Sequence, residues 1–320
     1  MTRLYVRALA TIALMVPLAA AAQEWPAKQS IKIVIPFSAG SATDITARTV
    51  FEQVGRQLGQ TFVVENRGGG GTTLGMAQVA KADPDGYTML VHSTSHVVVA
   101  STYPNLPFSV ANDFTAVSAL ASIPFVIATK TQYKTLKDLV DAGKKPGSTI
   151  LYGTAGAGSS GQLYMERFRL AAGFAATHVP FRGTPEGMTE VVAGRIDMYP
   201  APALNAIELT KDGKVSSLAV SSTKRLPLMP NVPTSTEAGV PNAEYNFWVG
   251  AFVPAKTPKP IVDRLNREIV AALNVKAVAD KIIALGGDPN PMTPAEFDTF
   301  VRKEIALNAE IVRASGYKAQ

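Results

Sequence analysis

The sequence contains no cysteine and only three histidines among its 320 residues. Without thiols the chain has no disulfide, no thiolate metal ligand and no lipid-bearing cysteine, so its stability must come from ordinary core packing. His92 and His96 stand four residues apart, but no glutamate follows His92, so the zinc motif of a metalloprotease is missing. We therefore expect no metal site.

Long apolar runs and clusters of one charge are also missing. Beyond the N-terminal segment no stretch of about 18 uninterrupted apolar residues occurs, which excludes an ordinary membrane-spanning helix there. The net charge is +6, yet the basic residues are scattered, without a Lys/Arg run or interleaved aromatic residues. This distribution argues against a nucleic-acid partner, whereas a mildly positive protein suits small anionic ligands.

The N-terminal segment has the three parts of a secretory signal peptide. Arg3 and Arg7 form the basic part, residues 8–19 are apolar, and Ala20 and Ala22 supply an A-x-A site before Gln23. We predict that residues 1–22 are cleaved off and that the mature chain is periplasmic. The remaining length suits two domains.

A repeated order of a β-rich run, a small-residue turn and a helical pattern predicts an α/β fold. The run IKIVIPF leads into the turn SAGSATD and a helix from about Asp44 to Leu58. Near residue 125 a fresh cycle begins, in which ILYGT leads through AGAGSSG into the helical pattern QLYMERFRLAAG. The run YNFWVGAFVP then returns the chain to the first sheet.

Two crossings between two sheets predict two domains joined by a hinge. We assign residues 23–124 and 247–320 to a discontinuous domain 1, and residues 125–246 to domain 2. Each lobe is expected to hold a mixed, mostly parallel sheet flanked by helices.

The two small-residue turns have the chemistry of anion sites. A helix begins with N–H groups that lack intrahelical partners and with a partial positive charge, so it attracts a carboxylate. Either turn alone can equally be a tight connection in which Asp44 or Ser159 is an ordinary helix cap. One turn in each lobe predicts a carboxylate held between the lobes. The small and hydroxyl residues concerned are Ser38, Gly40, Ser41, Thr43, Thr154, Gly156, Gly158, Ser159 and Ser160.

Two enzyme classes compete with this interpretation. GAGSSG matches G-x-G-x-x-G, so an NADP-dependent oxidoreductase is the alternative function, with Arg182 at the 2′-phosphate. The signal peptide opposes it, because nicotinamide cofactors belong to the cytosol. A hydrolase would need Ser159 as nucleophile and His178 as base, but the segment between them leaves little room for an acid-bearing strand. We therefore expect that the protein is not an enzyme and binds no cofactor.

A series of motifs resembles the substrate-binding proteins of tripartite tricarboxylate transporters, the Bug family. The motifs PFSAGSATD, VVENRGGGG, ADPDGYTML, YGTAGAGSSGQL, HVPFRG and NVPTSTEAG follow in the family's order across essentially the whole mature chain. The resemblance implies a two-lobed periplasmic binding protein of the Venus flytrap type (type II-like). Such a protein closes on a small organic carboxylate and delivers it to membrane permease subunits, and we expect it to be a monomer.

The resemblance also implies which residues bind the ligand. Ser38, Ala39, Ser41 and Asp44 match the first family loop, although Ser38 and Ala39 replace prolines there and Ser41 replaces a glycine. In the second loop Gln162 replaces a common histidine. Thr154, Ala157, Gly158 and Ser159 match the second loop, and Phe181 and Arg182 match a segment near the cleft. Apart from the resemblance, Phe37 is a candidate because it ends a strand beside the first turn, and we expect a far pocket around Gly71, Thr72, His92 and Ser93 to contact the rest of the ligand.

The chemical class of the carboxylate stays open at this level. Arg182 can pair with a second carboxylate, and Phe37 and Phe181 stand close to the turns in sequence, so an aromatic dicarboxylate of the terephthalate kind fits. An aliphatic di- or tricarboxylate, an acidic amino acid or an aromatic monocarboxylate fits as well.

Overall fold

The computed structural model describes residues 25–315, so the predicted signal peptide at residues 1–22 lies outside the described residues. Within that range the strands form two separate sheets, one of six strands and one of five. No helix between residues 25 and 315 is both long and apolar enough to cross a membrane.

The first four strands and their helices occupy residues 31–122. In chain order they are β1 (Ile31–Ile35), α1 (Ala42–Leu58), β2 (Phe62–Asn66), a 3₁₀ turn (Gly70–Thr72), α2 (Thr73–Ala80), β3 (Thr88–Ser93), α3 (Ser95–Thr102) and β4 (Phe114–Ser122).

The remaining elements alternate strand and helix until residue 220 and end in three helices. They are β5 (Phe125–Thr129), α4 (Leu136–Lys144), β6 (Leu151–Thr154), α5 (Ser160–Ala172), β7 (Thr177–Pro180), α6 (Thr184–Val192), β8 (Met198–Pro202), α7 (Ala203–Lys211), β9 (Ser216–Val220), β10 (Trp248–Pro254), α8 (Lys259–Leu273), α9 (Lys276–Ala284), β11 (Asp288–Pro289) and α10 (Pro294–Ser315).

Strand order separates the chain into two units. The first sheet has the order β11-β4-β10-β3-β1-β2, and the second has the order β7-β6-β8-β5-β9. We call the first sheet with its helices unit 1 and the second sheet with its helices unit 2. The chain passes from unit 1 to unit 2 after Ser122 and returns before Trp248.

The predicted α/β architecture of two mixed sheets flanked by helices is present, but parallel pairing does not dominate. Among the described strands, four of the nine pairings are parallel. The reason lies in the crossings. Strands β5 and β10 each enter the middle of a sheet from the other unit, and each runs antiparallel to both of its neighbours.

The two crossing segments are bonded to one another. The Ile123 N–H donates to the Phe247 carbonyl at 2.8 Å, and the Ser122 hydroxyl donates to the Asn246 side-chain oxygen at 3.0 Å. Helix α10 packs on α3 and β4 of unit 1 and also contacts α5 of unit 2. The two units are therefore joined by a paired two-strand connection with a helix beside it.

Helix α1 begins and ends where the sequence predicts. The Ser41 hydroxyl accepts the Asp44 N–H at 3.3 Å, and Gly59 closes the helix in a left-handed conformation with φ of 61°. Both caps satisfy backbone groups that the helix itself cannot. The buried face of α1 includes Ala47, Val50 and Val54, which pack on the first sheet.

Two histidines lie in the core of unit 1. His92 in β3 and His96 in α3 are fully buried, and the His96 ring stacks on Phe252 at a centroid distance of 4.0 Å. Among the described residues neither nitrogen of His96 has a hydrogen-bond partner, and burial lowers the pKa of His96 to about 3. Burial and the neighbouring His96 also hold the pKa of His92 well below its usual value. Both rings are therefore neutral in the folded protein near pH 7.

These histidines predict that acid destabilises the protein. Above pH 6.5 the His96 ring is neutral in both the folded and the unfolded chain, so it causes no loss of stability. Below pH 6.5 the unfolded chain protonates this ring, whereas the folded chain does so only near pH 3, and the free energy of unfolding therefore falls. Between pH 7 and 4.5, urea unfolding should report a loss of about 2 to 3 kcal/mol from His96. Over the same pH range, the free energy of unfolding of His96→Leu should fall by about 2 to 3 kcal/mol less than that of the wild type. Equal pH dependence in both proteins would contradict the assignment.

Candidate functional site

A small chamber lies where the two units meet. Its volume is about 30 Å³, room for one or two water molecules. Both units contribute to its wall, and none of its sixteen described lining residues is Lys, Arg, His, Asp or Glu. The lining residues are Phe37, Ser41, Ala42, Thr43, Ser93, Ser95, Phe125, Ala155, Ser159, Ser160, Gly161, Thr184, Tyr199, Pro200, Pro202 and Phe247.

Five helices begin at this chamber. Ala42, Ser95, Ser160 and Thr184 are the first residues of α1, α3, α5 and α6, and Pro202 immediately precedes α7. Each helix start carries a partial positive charge and N–H groups without intrahelical acceptors. The chamber is therefore electropositive although no cationic side chain lines it.

Several of these N–H groups are unused. The Ser41 and Ser159 hydroxyls cap their helices by accepting the N–H groups of Asp44 and Gln162. The Ser160 N–H donates to the Ser95 hydroxyl at 3.0 Å. No acceptor within residues 25–315 takes the N–H groups of Ala42, Thr43 or Gly161. These three donors lie on two helices from different units and line the same chamber.

The first turn is held in shape by a buried carboxylate. Asp44 accepts the Gly40 N–H at 3.0 Å, the Asn66 amide at 2.9 Å and the Arg48 Nε at 3.0 Å. Gly40 has a φ of 78°, a conformation that favours glycine. Asp44 therefore supports the turn from behind and is absent from the described chamber lining.

The second turn is closed by Gln162 and Thr154. The Gln162 side-chain oxygen accepts the Gly158 N–H at 2.7 Å, and the Thr154 hydroxyl donates to the Gly156 carbonyl at 3.0 Å. Gly158 has a φ of 70°, and a Cβ there would lie 2.6 Å from a ring carbon of Tyr103. Glycine is required at this position both for its conformation and for its contact with the other unit.

Hydrogen bonds join the two units directly across the cleft. The Tyr103 hydroxyl donates to the Ala157 carbonyl at 2.8 Å, and the Thr102 hydroxyl donates to the Gly158 carbonyl at 3.2 Å. Three more hydrogen bonds join the units: the Ser160 N–H donates to the Ser95 hydroxyl, the Ser38 N–H donates to the Arg182 carbonyl at 3.3 Å, and the Asn205 amide donates to the Gly40 carbonyl at 3.1 Å. We call these five bonds the cross-cleft bonds.

A wider pocket of about 440 Å³, which we call the mouth, opens between the glycine loop of unit 1 and two loops of unit 2. Arg182 is exposed there, and the acidic Glu186 lines the same pocket. Glu186 also accepts the Arg182 main-chain N–H at 3.0 Å. The mouth is lined by Gly69, Gly70, Gly71, Tyr103, Ala155, Gly156, Ala157, Pro180, Phe181, Arg182 and Glu186.

The residues predicted from the sequence fall into three places. Phe37, Ser41, Ser93 and Ser159 line the chamber. Gly71, Ala157, Phe181 and Arg182 line the mouth. The others support the walls or lie beside them: Asp44, Thr72, His92, Thr154 and Gly158 are buried outside the chamber lining, Ser38 is half-buried with its hydroxyl unpartnered, and Ala39 is exposed.

The sequence analysis missed several chamber residues. Ser95 and Thr184 have the same pattern as the predicted turns, a hydroxyl at the start of a helix that follows a strand, so they could have been predicted from the sequence. Phe125 and Phe247 sit on the crossing segments and have no local signal, because an aromatic residue beside a strand looks like ordinary core. Tyr199, Pro200 and Pro202 reach the chamber only through the strand order of unit 2.

The arrangement lacks the geometry of a hydrolase. The Ser159 hydroxyl caps α5, and the His178 Nε2 lies 2.7 Å from the Thr154 hydroxyl. Burial lowers the pKa of His178 to about 4, so its ring is neutral near pH 7. Within residues 25–315 no carboxylate orients that ring and no group of three or more metal-binding side chains occurs.

Comparison with known proteins gives a consistent result. The model of a family described as "Tripartite tricarboxylate transporter family receptor" matches residues 46–317. Protein BugT of Bordetella pertussis (strain Tohama I) is 32% identical over 303 residues, covering 93% of this chain and 92% of that protein. The matched family is one of transporter receptors rather than enzymes, which confirms the prediction of a non-enzymatic binding protein.

Solved structures agree with the sequence matches. The periplasmic binding protein BugD is 30% identical, with a TM-score of 0.88, and the match covers 92% of this chain and 99% of that one. MatC of Rhodopseudomonas palustris, solved with bound malate, is 29% identical, with a TM-score of 0.85, and the match covers 89% of this chain and 99% of that one. The predicted fold class, that of a periplasmic solute-binding protein, is confirmed.

The cross-cleft bonds predict how the two units are held together. Replacing Tyr103 with Phe removes one bond between the units, worth roughly 1 kcal/mol, and should shift the closed-to-open ratio about fivefold. Small-angle X-ray scattering of the variant without ligand should give a larger radius of gyration than the wild type. The matched control is Tyr133→Phe, which removes a tyrosine bond to Asp197 inside unit 2. An unchanged radius in Tyr103→Phe, or an equal increase in the control, would contradict this role.

Proposed function

The chain belongs to the tripartite tricarboxylate transporter receptor family, and from that premise we propose that it captures a small organic carboxylate in the chamber and delivers it to membrane permease subunits. Proteins of this family are solute-binding receptors. The malate bound to MatC, a relative of the same fold, supports a carboxylate as the ligand class. Mono- and dicarboxylates both belong to this proposal.

One observation carries the proposal. The N–H groups of Ala42, Thr43 and Gly161 have no acceptor within residues 25–315 and line one chamber between two units. A buried donor without a partner costs free energy, and a carboxylate supplies several acceptor sites at once. A micromolar dissociation constant corresponds to about −8 kcal/mol, which a few such bonds and the burial of an apolar body can supply.

Binding on these groups requires the two units to separate. A chamber of about 30 Å³ is smaller than a malate-sized molecule, so a ligand enters only after the cross-cleft bonds open. We propose that residues 23–124 with 247–320 form one lobe, that residues 125–246 form the other, and that the segments at 122–124 and 246–247 are the hinge. A bound carboxylate then draws the two lobes together around it, with a wider chamber than in the structure, because both lobes donate to it.

The mouth residues have a different role from the chamber residues in this scheme. Gly71, Ala157, Phe181 and Arg182 lie where a ligand enters, and Arg182 attracts anions to that entrance. Phe37, Ser41, Ser93 and Ser159 contact the ligand in the chamber. Ser38, Ala39, Asp44, Thr72, His92, Thr154 and Gly158 hold the surrounding loops.

Export is part of the proposal. The signal peptide at residues 1–22 directs the chain to the periplasm, where the mature protein acts as a monomer without a cofactor. A binding protein that delivers a ligand to a membrane permease must meet that ligand outside the cytosol, so export and ligand capture support each other.

The test begins with expression of the full chain in a Gram-negative host. Mass spectrometry of the periplasmic protein should give a mature form that begins at Gln23. Its melting temperature is then measured against a panel of aliphatic and aromatic mono-, di- and tricarboxylates and acidic amino acids, with NADP as the competing ligand. A carboxylate at a hundredfold excess over its dissociation constant should stabilise the fold by about 2.7 kcal/mol. A shift with NADP alone would overturn the proposal.

A substitution at Gly161 tests the chamber itself. A Cβ at Gly161 would lie 3.5 Å from Pro200 and 3.6 Å from Thr154, which is ordinary contact, so Gly161→Val should fold. Its methyl groups would fill the chamber beside the α5 N-terminus, and we expect the affinity for a carboxylate from the panel to fall at least tenfold. The control Ala171→Val places the same side chain on the exposed part of α5. Unchanged affinity in folded Gly161→Val would place the ligand elsewhere.

A further inference from the structure

The chamber has a wall of aromatic rings on the side of the hinge. Phe125 and Phe247 stand on the two crossing segments, with ring centroids 4.7 Å apart. Phe37 at the end of β1 and Tyr199 in β8 add two more rings. Two prolines and two alanines complete the apolar part of the lining. A ligand whose carboxylate meets the helix starts therefore has its body against flat apolar side chains.

No cationic side chain in this wall compensates a second negative charge. None of the sixteen lining residues is cationic; the unused N–H groups of Ala42, Thr43 and Gly161 lie at the starts of α1 and α5, and α6 adds the single N–H of Thr184. A carboxylate pressed against the rings would lose its hydration without gaining an ion pair. The chamber thus suits one carboxylate and penalises two.

The mouth does not provide the missing cation to a molecule enclosed in the chamber. Arg182 lines the mouth rather than the chamber, its side chain is exposed, and Glu186 stands in the same pocket. An exposed guanidinium beside an acidic residue contributes little to binding a distant carboxylate.

One polar group among the rings has no partner. The Tyr199 hydroxyl is fully buried and forms no hydrogen bond of good geometry, although Thr184 stands beside it. Such a hydroxyl favours a ligand that brings one neutral hydrogen-bonding group to it. Burial also raises the pKa of Tyr199, so the hydroxyl is protonated and able to donate.

We propose that the ligand is an aromatic monocarboxylate with a neutral polar substituent, such as a hydroxybenzoate, rather than a dicarboxylate. The inference rests on the proposed function and narrows its ligand class. The carboxylate binds the N–H groups of Ala42, Thr43 and Gly161, the ring lies against Phe125 and Phe247, and the substituent meets Tyr199.

Isothermal titration of the periplasmic protein with matched pairs of compounds tests the proposal. The probes are benzoate, 4-hydroxybenzoate and terephthalate, which share one ring, and hexanoate and adipate, which share one chain. We expect 4-hydroxybenzoate to bind at least tenfold more tightly than terephthalate, and benzoate more tightly than hexanoate. Tighter binding of terephthalate or adipate than of its monocarboxylate partner would overturn the proposal while leaving carboxylate capture intact. Binding of none of the carboxylate panel would overturn the proposed function itself.

Tyr199 is tested separately from the fold. In Tyr199→Phe the preference for 4-hydroxybenzoate over benzoate should fall severalfold towards unity, because only 4-hydroxybenzoate brings a polar group to the Tyr199 hydroxyl. Tyr164→Phe is the matched control, because its hydroxyl is also buried without a good partner but lies outside the chamber lining. An equal loss for both probes in Tyr199→Phe, or the same change in the control, would make Tyr199 a structural residue only.

Discussion

Unpaired N–H groups at the first turns of α1 and α5 are the constraint on which the rest of the structure depends. A strand that ends in a helix leaves such donors wherever it occurs, and most proteins cover them with side-chain caps or water. Here Ser41 and Ser159 cap one donor each, while Ala42, Thr43 and Gly161 remain available between two units. The glycines and the buried Asp44 hold the turns so that these groups meet in one chamber. In the proposed binding mode, charge selectivity comes from the backbone, because no cationic side chain lines the chamber.

The connection between the units follows from the same topology. Strands β5 and β10 cross between the sheets side by side and enter each sheet antiparallel to their neighbours. The crossing brings Phe125 and Phe247 together at the chamber, so the segment on which a hinge motion would turn also forms the apolar wall of the site. A ligand body that packs on these rings would therefore contact the segments that connect the two units.

Much of the fold was accessible from the sequence, because short β-rich runs, glycine turns and apolar helix faces are local patterns. Helix α1, the second cycle from ILYGT and the return through YNFWVGAFVP were all predicted close to their observed bounds. The balance of parallel and antiparallel pairing was not, since it depends on which neighbours a returning strand meets. The site residues likewise fall into those that local sequence patterns predict and those that only tertiary packing brings together. Ser41 and Ser159 follow from turn chemistry and Phe37 from its place beside the first turn, whereas Phe125, Tyr199 and Phe247 reach the chamber only through tertiary packing. Asp44 had the right position but supports the turn from behind.

The cross-cleft bonds have a consequence for how such proteins diverge. The bonds to the carbonyls of Gly40, Ala157, Gly158 and Arg182 all end on main-chain atoms, so changing the side chain at Ala157 or Arg182 leaves the acceptor in place, whereas Gly40 and Gly158 are kept as glycine by their left-handed backbone. Evolution can therefore change the residues facing the cleft, and with them the molecules recognised, without dismantling the closed form.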